Sequence, residues 1–138
     1  MSTRHYEKPS QFTVSFTIPD SAWMSANRDY GHHGWKKSLV DQLHEIAGWT
    51  AVAQHLDHLP DPCDIVWVIA YPKGVGPKAD PDNAMPTCKA LLDGLVQLDY
   101  LFDDDPRHVV RRTYMRDANL RVRHSHTVTL IATPAVTP

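Results

Sequence analysis

The chain is short of cysteine, of long hydrophobic runs and of net charge, and each shortage removes a class of protein. Its two cysteines, Cys63 and Cys88, stand far apart with no paired spacing. That excludes a disulfide framework and a cysteine-based zinc site and makes reduced thiols in a cytoplasmic protein the expectation. The longest apolar run, Ile65 to Tyr71, is far too short to span a bilayer, and the opening MSTRHYEKPSQ has no apolar stretch of the signal-peptide kind. A soluble protein without a membrane partner is expected. A formal net charge of -2 with a pI near 6.5 carries no global nucleic-acid signature, so any polyanion binding must come from local asymmetry. There is no internal repeat, low-complexity tract or domain boundary, and 138 residues suit a single core.

Local asymmetry is present. From Pro106 to the end there are six arginines (107, 111, 112, 116, 121 and 123) against one acid, Asp117, a local formal charge of +5. The rest of the chain is acidic in compensation. Its carboxylates gather at the two ends of one segment, KADPDNAMPTCKALLDGLVQLDYLFDDD, residues 78–105. Asp80-Pro81-Asp82-Asn83 opens it and Asp103-Asp104-Asp105 closes it.

Between the two clusters, Cys88, Leu91, Leu92, Leu95 and Val96 repeat with helical period and predict a helix buried on one side, with Pro86 suited to its first turn. If strands fold back beside that helix, the aspartates meet. Carboxylates in a small volume repel one another and raise each other's pKa. A hard divalent cation such as Mg²⁺ relieves this and prefers oxygen ligands.

Elsewhere, Phe12, Val14, Phe16 and Ile18 alternate with polar residues and predict a half-buried strand ended by Pro19. The following loop to Gly34 holds Trp23, Asn27, Arg28, Tyr30, His32 and His33, too many large side chains for a plain connector. Leu39, Leu43, Ile46 and Ala47 mark a helix from Trp35 that Gly48 is expected to end, with a further turn or two possible before Leu56. Asp64 to Tyr71 is Ile- and Val-rich and predicts a central strand covered on both faces. Val109–Met115 and Thr127–Ile131 read as two strands turning at Asp117-Ala118-Asn119 and pairing antiparallel. The expected fold is therefore α+β: one domain over residues 1–138, a mixed sheet of about four strands and two main helices. Residues 1–10 and 133–138 are expected to be loose.

Asp-Pro and Asp-Asn are also plain turn formers. What adds chemistry is their setting: Lys73 and Lys78 approach the turn, a helix opens after it, and a triple aspartate follows the helix. Together these fit a metal-dependent phosphodiester site, with carboxylates for Mg²⁺ and cations for phosphate. The later arginines read either as a solvated strand edge or as DNA contacts. His124 and His126, like His32 and His33, lack a spaced partner and read as satisfied or solvent-facing rather than as zinc ligands. Asp93 stands one helical turn from Lys89 and reads as its surface partner or its orienter.

The whole arrangement resembles the RusA family of Holliday junction resolvases, small homodimeric α/β endonucleases that cut four-way DNA junctions with Mg²⁺. The likeness covers most of the chain: Ile18-Pro19 followed by Ser25-Ala26-Asn27-Arg28, the D-x-D-N turn at Asp80–Asn83, the K-A-x-x-D segment at Lys89–Asp93, and the aspartates before His108-Val109-Val110. Ala84-Met85-Pro86 lengthens the gap between Asn83 and the lysine by three residues relative to the family's pattern.

The resemblance implies Asp80, Asp82 and Asp104 as metal ligands, with Asp105 or Asp103 as the alternative third, and Lys89 as the catalytic cation. It also implies Mg²⁺, with Mn²⁺ as a substitute, branched DNA as substrate and a homodimer. Asn27, Arg28, Lys73, Lys78, Arg107, Arg111 and Arg112 are the candidate DNA contacts. Two other readings stand beside it: a structure-specific DNA-binding protein in which the insertion has displaced the lysine, and a cation-stabilised domain that binds no nucleic acid.

Overall fold

The computed structural model describes residues 11–28, 30–31 and 33–136, excluding the His33 side chain. The expected looseness of residues 1–10 and the reading of His32 and His33 lie outside what is described. Four strands, β1 (Thr13–Pro19), β2 (Cys63–Ala70), β3 (Val109–Arg116) and β4 (Ser125–Pro134), form one mixed sheet with two helices, α1 (His33–Ala53) and α2 (Met85–Gln97). This is a small single-domain α+β fold.

The strand order is β1-β4-β2-β3, with β2 parallel to β3 and β4 antiparallel to both of its neighbours. The expected β3–β4 hairpin does not form. After β3 the chain crosses over, and β4 enters between β1 and β2. Its alternation explains the choice: His126, Val128, Leu130 and Ala132 are all buried, so β4 needs a neighbour on each edge to complete the core. The strand also runs to Pro134, beyond the Ile131 end expected for it, and Ala135 N–H donates to the Pro62 carbonyl at 2.9 Å.

One sheet face carries Val14, Phe16, Ile18, Ile65, Trp67, Ile69, Val128 and Leu130, each no more than 1% exposed, and packs beneath the helices. The opposite face is open. β2 therefore alternates between buried and half-buried residues instead of being covered on both sides, which corrects the sequence expectation.

α1 does not stop at Gly48. It continues to Ala53 and closes where Leu56 N–H donates to the Ala51 carbonyl (2.9 Å) and His55 N–H to that of Val52 (3.2 Å), with His55 at φ +56°. This is a Schellman closure, which satisfies the carbonyls left over at a helix end. α2 ends the same way, through Tyr100 N–H to Leu95 O (3.0 Å), Asp99 N–H to Val96 O (3.0 Å) and Asp99 at φ +64°. The close crossing of the helices falls at Gly94, where a Cβ would lie 3.0 Å from the His44 Cα, whereas a Cβ on Gly48 would meet only the end of the Leu98 side chain, 2.9 Å from Cδ1.

α2 is buried along Thr87, Cys88, Ala90, Leu91, Leu92, Gly94 and Leu95, while α1 buries only the stripe Leu39, Leu43, Ala47 and Ala51. Edge strand β1 is guarded by Gln54, which accepts from Ser15 N–H (2.9 Å) and donates to Ser15 O (2.6 Å).

Candidate active site

The site lies where α2 begins, beside edge strand β3. Asp80 precedes a 3₁₀ turn, Pro81–Ala84, that runs directly into α2 with Pro86 in the first turn. Of the three residues that lengthen the gap to the lysine, Ala84 closes the 3₁₀ turn, whereas Met85 and Pro86 belong to the helix. Lys89 then falls one helical turn before Asp93, and its Nζ donates to Asp93 Oδ1 at 3.0 Å. The loop after α2 runs back along the helix, so Lys89 Nζ also meets Asp104 Oδ2 at 2.5 Å. The second carboxylate cluster thus reaches Lys89 and, through it, Asp93, while no bond from the lysine to Asp80 or Asp82 is found among the described residues.

The three consecutive aspartates do different things. Asp103 Oδ1 accepts from the Asp104 amide (2.7 Å), and Asp105 accepts from the backbone and guanidinium of Arg107 (2.9 and 2.7 Å). Asp104 alone of the three is directed at Lys89. Its carbonyl accepts from Arg112 Nη2.

Burial acts to raise the Asp104 carboxyl, but Lys89, Asp93 and Arg112 outweigh it and hold the group below its ordinary value. For Asp93 burial prevails over Lys89, and the neighbouring Asp104 charge adds to it, so its pKa is raised. Burial works against the Lys89 cation, yet the two carboxylates raise its pKa above the ordinary value. Lys89 is a fixed cation at neutral pH, not a proton acceptor.

Asp80 and Asp82 are exposed, and neither carboxylate has a hydrogen bond or ion pair among the described residues. The Asp80 carbonyl is held by the Tyr71 hydroxyl at 2.6 Å. Burial first, and then the charges of Asp82 and Asp80 against that of Arg116, push the Tyr71 phenol up. Arg116 lies over the Tyr71 ring (5.0 Å) and donates to the carbonyls of Gly76 (2.9 Å) and Ala79 (3.0 Å), bracing the loop that carries Asp80.

No group of three His, Cys, Asp or Glu side chains gathered closely enough to hold a metal is found among the described residues. The donor set nevertheless suits a hard cation: Asp80 and Asp82 offer unengaged carboxylate oxygens from one turn, and Asp104 is screened by Lys89.

The other candidates divide. The loop bearing Asn27 and Arg28 is brought to the site by Thr87, whose hydroxyl exchanges hydrogen bonds with both backbone groups of Met24 (2.9 and 2.8 Å), and by Ala26 N–H to the Asn83 carbonyl (2.9 Å). Lys73 and Lys78 are exposed on the loop before Asp80.

Arg107, Arg111 and Arg112 are instead occupied internally, by Asp105 (2.7 Å), by Asp64 (3.4 Å) and by the Asp104 carbonyl respectively. Arg111 and Arg112 do point to opposite faces. A register shift between Cys63 and Asp64 places Arg111 beside Asp64 and Arg112 beside Ile65.

Sequence reasoning named Trp23 in a loop too rich in large side chains, Arg123 among the later arginines and His126 as satisfied or solvent-facing, but not their meeting in a separate cleft. The aromatic loop around Trp23 was the signal available. Neither a scan of protein-family models nor a search of curated proteins yields a match for this chain.

Proposed function

We propose that the protein is a Mg²⁺-dependent, structure-specific endodeoxyribonuclease that hydrolyses phosphodiester bonds in Holliday junctions or related branched DNA, as the sequence resemblance to the RusA family implies. The observation that carries this reading is Lys89, a cation bound to Asp104 and Asp93 in the second turn of the helix that follows the Asp80–Asn83 turn. A divalent ion, when bound, supplies Lewis-acid stabilisation of charge developing at phosphorus. Asp80 and Asp82 would hold it, with Asp104 as the third ligand that the resemblance implies. Because Lys89 stays protonated, its role is to stabilise negative charge on the phosphate or the leaving oxygen.

The same contacts favour a second reading, a structure-specific DNA-binding protein without cleavage, because both of Lys89's neighbouring carboxylates already engage its ammonium group. The two readings part on one experiment: nicking of a labelled four-way junction against linear duplex, with and without Mg²⁺. Metal-dependent nicking of the junction supports the nuclease. Binding without nicking in Mg²⁺ or Mn²⁺ supports the second reading, and neither binding nor nicking rejects both.

A homodimer belongs to the proposal, since paired cuts in a two-fold junction call for two sites, and two-fold assembly is the commonest oligomer. The exposed Trp49, Val52 and Leu98 form the apolar surface available for it. Light scattering that finds a monomer still cutting junctions would remove the dimer. No helix among the described residues is long and apolar enough to cross a membrane.

A further inference from the structure

Beyond Tyr71 from the aspartate turn lies a cleft of about 400 Å³ between three segments of chain. Its floor is a flat stack of Trp23 on His126, with ring centroids 3.6 Å apart and planes 3° from parallel. Tyr71 backs this stack, edge-on to both rings, while its hydroxyl donates to the Asp80 carbonyl. Arg28, Lys73 and Arg123 stand around it, one from each segment.

The walls are tied by backbone hydrogen bonds, Lys73 N–H to Val122 O at 2.8 Å and Asp20 N–H to His124 O at 3.0 Å. Gly74, at φ +92°, packs against the Arg123 guanidinium, where a Cβ would lie 3.4 Å from Nη1. The cations are thus carried on tied segments.

The charge balance of the cleft is positive. Arg28 lies over the rings of Trp35 (4.6 Å) and Tyr30 (5.7 Å), and none of the three cations pairs with a carboxylate among the described residues. Among the described residues lining the cleft the one acid is Asp20, directed at His126 Nδ1 (3.3 Å) and His124 Nδ1 (3.7 Å). Three cations against one carboxylate, above an aromatic floor, suit a group that carries negative charge and has a flat or apolar neighbour. A nucleotide unit has both.

We propose that this cleft binds a phosphodiester of the DNA strand next to the one presented to Asp80 and Asp82, as an anchor separate from the catalytic cluster. The inference rests on the DNA-binding reading above and names the surface that reading lacks, because Arg107, Arg111 and Arg112 are occupied internally. Arg28 and Lys73 were candidates from sequence. Arg123 belongs to the later arginines that read either as a strand edge or as DNA contacts; its meeting with Arg28, Lys73 and the Trp23–His126 floor comes from the fold.

The test uses the full chain and two fluorescent probes, a four-way junction and a single-stranded oligonucleotide, titrated from low to moderate salt. The double variant Lys73→Ala/Arg123→Ala should bind both more weakly and flatten the slope of log K against log salt by about 2 on the junction and about 1.4 on the single strand, for two phosphates no longer neutralised. Lys36→Ala, on the outer face of α1, should leave slope and affinity unchanged. Equal slopes for the wild type and the double variant, when the wild type binds both probes, would overturn the cleft and leave the nuclease reading intact. A wild type that binds neither probe at low salt would overturn both.

Discussion

The Thr87 hydroxyl both donates to the carbonyl of Met24 (2.8 Å) and accepts from its amide (2.9 Å), across 63 residues of sequence. Thr87 is fully buried, and this exchange is what makes a buried polar side chain tolerable there. It also fixes the loop of Asn27 and Arg28 to the first turns of the helix that carries Lys89.

Replacing Thr87 with Val keeps the shape and leaves two buried backbone groups of Met24 without partners. The expected loss is about 2 kcal/mol or more in urea unfolding. Thr87→Ser, which retains the hydroxyl, should recover most of it. Equal stabilities for the Val and Ser variants would show that the exchange does not anchor the loop.

The two helix glycines should respond in opposite directions. A Cβ on Gly94 would lie 3.0 Å from the His44 Cα and 3.1 Å from the Ala47 Cβ, so Gly94→Ala must push the helices apart and should cost about 1–3 kcal/mol. At Gly48 the obstacle is the end of the Leu98 side chain, which is 53% exposed and free to swing away. Gly48→Ala should therefore gain up to about 1 kcal/mol from helix propensity. Thermal melts of the two variants decide this.

Burial lowers His126 from its ordinary 6.5 to about 4, against the raising effect of Asp20. The native state thus withholds a proton that the unfolded chain accepts. The stability this contributes is complete above pH 6.5 and is lost as pH falls to about 4, a change of about 3 kcal/mol. His126→Phe preserves a ring beside Trp23 and removes the titration. Urea midpoints should fall more steeply for the wild type than for this variant between pH 7 and pH 4; parallel curves would mean that His126 does not govern the acid limb.

Asp82→Asn keeps the shape of the turn and removes one charge from the proposed metal site. If Asp82 is a ligand, a loss of about 4 kcal/mol of transition-state stabilisation slows junction cleavage roughly a thousandfold. DNA affinity measured without metal should stay level or tighten, because a carboxylate beside the phosphate has lost its repulsion. A folded Asp82→Asn protein that cuts at the wild-type rate would return this turn to a purely structural role.

The amino-acid sequence determined the local elements, because their signals are periodic and need only neighbours. Phe12 to Ile18 alternate and make β1; Leu39, Leu43 and Ala47 stripe α1; the apolar run from Cys88 to Val96 makes α2. It also placed aspartates at both ends of α2. What it could not decide was which separated segments meet.

A strand with one buried face satisfies its hydrogen bonds equally well beside several partners. The entry of β4 between β1 and β2 was therefore settled by completion of the shared core. Three adjacent aspartates look alike in sequence, and only the path of the loop back along α2 turned Asp104, not its neighbours, toward Lys89. Trp23 and Lys73 carry signals of their own in the sequence, but the cleft they form with His126 and Arg123 draws on three segments and exists only once the sheet has brought them together.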